Sequence, residues 1–146
     1  MLKTRLETVS CDLVDEIEKA SDAQRRAISG TVAALAVRRC GLSDPSVETG
    51  LLSLKSGSFG PGPVPSAIAQ VVEALDNRYF QAQELFEAGQ GEKATYQDLF
   101  AKARAASAVL FALGPDAFQA AAESVYEAVS ALGIDEPRSV VSDILG

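Results

Sequence analysis

The chain has 146 residues, of which 47% are hydrophobic and 23% charged, and a formal net charge of −7. That length and composition suit one globular domain with a sizeable core and exclude a disordered chain. An acidic chain repels phosphate backbones, so nucleic acid is excluded as a partner and a basic protein is favoured.

The charge is uneven. Residues 1–56 carry eight acids and eight bases, residues 57–113 six acids and four bases, and residues 114–146 six acids against the single base Arg138. The first seven residues lack the apolar core of a signal peptide. The most apolar runs, Thr31–Val37 and Ala105–Gly114, fall far short of the roughly 20 residues that span a bilayer. The expectation is a cytoplasmic protein without a membrane partner.

Apolar spacing at three and four residues predicts helices throughout. The first covers about Leu2–Ala20, with Leu2, Leu6, Val9, Leu13 and Ile17 inward. Ser21 and Gln24 form a capping-box pattern that opens a second helix running to about Cys40, with Gly41 as its stop. Its middle is apolar on nearly all sides, flanked by Arg25–Arg26 and Arg38–Arg39. These arginines are expected to end a buried helix and to pair with Asp12, Asp15 or Glu16. If the first two helices form a hairpin, Cys11 and Cys40 lie roughly 13 Å out of register at about 1.5 Å per residue. That is too far for a disulfide.

Asp44-Pro45 starts a third helix to about Lys55, with Val47, Leu51, Leu52 and Leu54 as its apolar contacts. Residues 56–65 hold Gly57, Gly60, Gly62, Pro61, Pro63 and Pro65 and read as an ordered surface loop presenting Phe59. The fourth helix, Pro65–Ala88, has one apolar stripe of Ile68, Val71, Val72, Leu75, Tyr79, Ala82 and Phe86. A fifth helix, capped by Thr95 with Asp98, runs to Leu113, and Leu110 is placed in its core face. A sixth covers Pro115–Leu132, with Asp116, Glu123 and Glu127 opposite its apolar face, and a seventh about Pro137–Leu145. The fold class is therefore all-α: a compact single-domain array of six to seven helices over residues 1–146.

Much chemistry is excluded. Without histidine there is no Ser-His-Asp or Cys-His nucleophile and no Glu-x-x-His metal motif. The loop glycines lack the Walker spacing, and their prolines remove the amide donors that a phosphate cradle needs. No catalytic residue, metal ligand or cofactor is assigned.

One pattern invites a functional reading. On the fourth helix Glu73, Asp76, Phe80, Glu84 and Glu87 share a second stripe, four carboxylates around one aromatic ring. Like charges at such spacing repel. They are explained either by a solvated flank with Phe80 tucked under a neighbour, or by a contact face for a basic protein. Glu73, Asp76, Phe80, Glu84 and Glu87, with Phe59, are the candidate partner-binding residues. The expectation is a non-catalytic binding protein, in its most concrete form an inhibitor or immunity protein that neutralises a basic toxin. Two alternatives are an enzyme or small-molecule binder with an interhelical pocket lined by Tyr79, Tyr96 or Tyr126, and a protein that assembles with itself, as a homodimer for example.

Overall fold

The computed structural model describes residues 4–146. Among them a short 3-10 turn, Arg5–Thr8, precedes seven α-helices: α1 (Cys11–Lys19), α2 (Asp22–Cys40), α3 (Pro45–Ser56), α4 (Pro63–Glu87), α5 (Lys93–Ala112), α6 (Ala117–Leu132) and α7 (Asp135–Leu145). Of the described residues 81% are helical and none lies in a strand. It is the all-α array that the apolar spacing predicts.

Local chemistry sets most boundaries. Ser21 Oγ accepts from the Gln24 N–H, and the Gln24 side chain accepts from the Ser21 N–H, so the capping box forms. Gly41 closes α2 at φ 65°, a left-handed conformation that glycine adopts without penalty. The Asp44 carboxylate accepts from the amides of Ser46 and Val47 and opens α3.

Five helix starts differ from expectation, those of α6 and α7 by about half a turn: α6 begins at Ala117, capped by Asp116, instead of Pro115, and α7 begins at Asp135 instead of about Pro137. The first helix is broken: Ser10 Oγ accepts from the Leu13 N–H at 3.2 Å, so a new helix starts at Cys11. Leu6, Leu13 and Ile17 are buried as the spacing predicts, but Val9, at the break, is 40% exposed; Leu2 lies outside the described residues. α4 begins at Pro63, where prolines in the first turn forfeit no helical hydrogen bond. α5 begins at Lys93 without a side-chain cap, and Asp98, instead of supporting a cap at Thr95, pairs with Lys102 at 2.9 Å.

The core is built on α2, α5 and α6, which pack against one another. α4 lies along α5, α3 bridges α4 to α5 and α2, and α7 packs on α2 and α6. α1 rests on the 3-10 turn and α6, so the expected α1–α2 hairpin is not the packing that forms. Cys11 and Cys40 are nevertheless separate free thiols.

Alanine dominates the central contact. Ala33 and Ala36 of α2, Ala105 and Ala108 of α5, and Ala121 and Ala122 of α6 are fully buried. Small side chains let helix axes approach to the short end of the usual 8–10 Å range. Gly50 extends the same logic to α3: a Cβ there would overlap Ile68 of α4 and Val109 of α5.

This close packing leaves no space for rings. Phe100 stays exposed, and Leu110, which the spacing places inward, is only half-buried while Val109 takes the buried position instead. Leu52 of α3 is likewise 65% exposed. An alanine-packed centre thus sends the aromatic residues to the periphery.

Candidate functional site

The Cys40 thiol donates to the Ala101 carbonyl at 3.6 Å, so α2 ends level with Ala101. α5 continues beyond that level to Lys93, and α4 runs with it to Glu87. The far part of this α4–α5 hairpin therefore extends past the end of α2.

Its rings pack mainly on each other. Tyr79 lies 5.1 Å from Phe80, 5.4 Å from Phe100 and 6.1 Å from Tyr96, and Phe86 lies 5.3 Å from Tyr96. Tilted and edge-on contacts of this kind suit aromatic quadrupoles. The cluster is not covered: Phe80 is 56% exposed, and Phe86 and Phe100 are also exposed.

The carboxylates predicted around Phe80 divide. Glu73, Glu84 and Glu87 are exposed beside it. Asp76 turns toward α5, where Arg104 Nη2 donates to both its oxygens at 2.9 and 3.1 Å. It is occupied within the fold. Phe59 is also separate. It sits in the loop before α4, while Phe80 lies roughly 25 Å further along the helix axis at about 1.5 Å per residue.

Arg104 belongs to a longer chain of alternating charge. Its Nη1 donates to Glu127 Oε2 at 3.1 Å, and Arg5 Nη2 donates to Glu127 Oε1 at 2.9 Å. Arg5 Nε reaches Glu123 Oε2 at 2.8 Å, and the Thr4 hydroxyl donates to Glu123 Oε1 at 2.9 Å. Glu127 is 1% exposed, so both of its oxygens need these donors. Burial lowers the Arg5 pKa, but hydrogen bonds and charge from Glu123 and Glu127 outweigh it and the net shift is upward. The Arg5 guanidinium also lies 4.4 Å from the centre of the Tyr126 ring. Glu123 and Glu127 were expected on a solvated face. They lie opposite the apolar face as the period requires, but the 3-10 turn and α5 bring arginines to that side.

The arginine pairs also find partners other than those expected. Arg25 donates to the Ile17 carbonyl at 2.9 Å and pairs with Asp22. Arg26 donates to the carbonyls of Ala112, Gly114 and Pro115 at the end of α5, and its guanidinium lies 3.7 Å from the centre of the Phe59 ring. Burial lowers its pKa, opposed by Asp116 and Asp22. Arg39 pairs with Glu136 at 2.9 Å. A cation at a helix C-terminus offsets the partial negative charge there, so Arg26 binds α5, α2 and the 57–62 loop together.

Tyr79 and Tyr96 join the aromatic cluster while Tyr126 lies under Arg5, so the three tyrosines are divided between two places. Burial raises the Cys40 pKa, Asp98 adds to the rise and Lys102 opposes it, which lowers its thiolate fraction. Among the described residues no group of three or more His, Cys, Asp or Glu side chains could hold a metal ion. No helix among them is long and apolar enough to cross a membrane.

The fold and site together define an all-α protein with an exposed aromatic cluster bordered by carboxylates. Comparison with protein-family models, curated proteins and solved structures finds no significant match.

Proposed function

We propose that the chain is a non-catalytic binding protein whose α4 face, centred on Phe80, engages a basic protein. The observation that carries this reading is the exposed cluster of Phe80, Phe86 and Phe100, joined through Tyr79 and Tyr96 at the end of the α4–α5 hairpin. A contiguous apolar patch rimmed by charge is a typical contact surface, and aromatic residues dominate binding energy at such surfaces. Glu73, Glu84 and Glu87 supply the acidic rim, which steers a basic partner and speeds association. Neutralisation of a basic toxin is the concrete form of this activity that fits the charge. Asp76 and Phe59 are left to structural roles.

A photoreactive residue in place of Phe80, activated in cells that make the protein, tests the proposal. The expected result is a specific adduct with a basic protein, absent when the same group replaces Ser139 on α7. Equal labelling from both positions, or an adduct only with acidic proteins other than a second copy of this chain, overturns it.

A further inference from the structure

A second surface carries the opposite character. A groove of about 570 Å³ runs between α2 and α3, with Gly30 and Ala34 on its floor, Leu51 as a wall, and Arg26, Arg38 and Lys55 around it. No carboxylate lines it. Arg26 is engaged by backbone carbonyls, while Arg38 and Lys55 have no ion-pair partner among the described residues.

The floor has a gap that the fold does not use. A Cβ added at Gly30 would meet nothing within 4 Å. Glycine in mid-helix is disfavoured relative to alanine, and no internal packing explains it here. The missing side chain makes room for something outside.

Charge and length both match a surface already described. Arg26 and Arg38 lie roughly 18 Å apart along α2, and Glu73 and Glu84 roughly 17 Å apart along α4, at about 1.5 Å per residue. Phe80 stands between those glutamates, as Gly30 stands between the arginines.

We propose that the groove receives the acidic face of α4 from a second copy of this chain. Glu73 and Glu84 meet the cations toward the two ends, and Phe80 lies over Gly30 and Ala34. This rests on the reading of the α4 face as a contact surface for basic groups, and it places those groups in the cationic groove of a second copy that is acidic overall. Face and groove are different surfaces, so the contact is head-to-tail, and each copy offers its face to one neighbour and its groove to another.

Sedimentation velocity of the full chain over a wide concentration range tests this. Wild-type protein should associate as concentration rises, and raised salt should weaken the association. Arg38→Glu with Lys55→Glu should weaken it at least tenfold, and so should Glu84→Lys with Glu87→Lys. Mixing these two variants restores opposite charge at every contact and should restore association. Gly30→Leu, which fills the floor, should block association while circular dichroism shows an intact fold. A wild-type chain that stays monomeric at low salt overturns the proposal, as does a mixture no stronger than either variant alone. A monomeric chain that still cross-links from position 80 to a basic protein overturns this inference and leaves the proposed function standing.

Discussion

Arg104 holds both oxygens of Asp76, at 2.9 and 3.1 Å, and so removes that carboxylate from the acidic face of α4. The same guanidinium reaches Glu127 on α6. One side chain of α5 thus ties α4 to α6, directly below the aromatic cluster.

Glu127 is the member of this chain that the fold can least spare. It is buried, and two arginines point at it. Breaking a buried ion pair from one side costs about 3–5 kcal/mol, because the remaining charge is left unpaired. Glu127→Ala should fall in that range in urea unfolding. Glu123→Ala, whose carboxylate is 14% exposed, should cost less. Equal and small losses would mean that the chain of charges is solvated.

Two glycines in helices should respond in opposite senses. At Gly30 a methyl group meets nothing within 4 Å, so Gly30→Ala should stabilise the protein by about 0.5–1 kcal/mol. At Gly50 a side chain runs into Ile68 and Val109, so Gly50→Val should destabilise by about 1–3 kcal/mol through overpacking. Thermal melting of the two variants reads both signs.

Arg26 should not be replaceable by lysine. It donates to three backbone carbonyls and stacks on Phe59, a combination that needs a planar fork. Arg26→Lys should lower stability by about 1–2 kcal/mol. Phe59→Ala should lower it as well, by about 0.5–1 kcal/mol for the lost cation–π contact, with any lost packing added. If Phe59→Ala leaves stability unchanged, the ring is free for a partner, as the sequence alone suggested.

The two thiols should differ in reactivity. Cys11 is exposed, whereas Cys40 is partly buried, has a raised pKa and donates to the Ala101 carbonyl. A raised pKa means less thiolate at any pH below it. Iodoacetamide at mildly alkaline pH should label Cys11 first, with Cys40 following only on unfolding. Mass spectrometry of the native protein distinguishes the order.

The helices were legible in the sequence because their ends carry local chemistry. Ser21 with Gln24, Gly41 and Asp44-Pro45 act within a few residues, and each does what its neighbours dictate. Ser10 uses the same chemistry but lies inside an apolar period that runs through it, so the break at Cys11 was hidden. The direction of Glu127 was not legible. Helical period separates it from Val125, but whether its side meets water depends on Arg104 and Arg5, 23 and 122 residues earlier in the chain. The acidic face was legible as a pattern. That Asp76 leaves it and that Phe86 and Phe100 join Phe80 depend on the pairing of α4 with α5.

If Phe80 serves contact and not the fold, the melting temperature of Phe80→Ala will stay close to that of the wild type. Phe80 is 56% exposed and touches Tyr79 at 5.1 Å, so the variant should lose about 1 kcal/mol or less and melt within about 4 °C of wild type. Loss of a buried phenylalanine costs about 3–5 kcal/mol, which at this size corresponds to a fall of roughly 6–20 °C. A fall of that order would contradict the account and return Phe80 to the core.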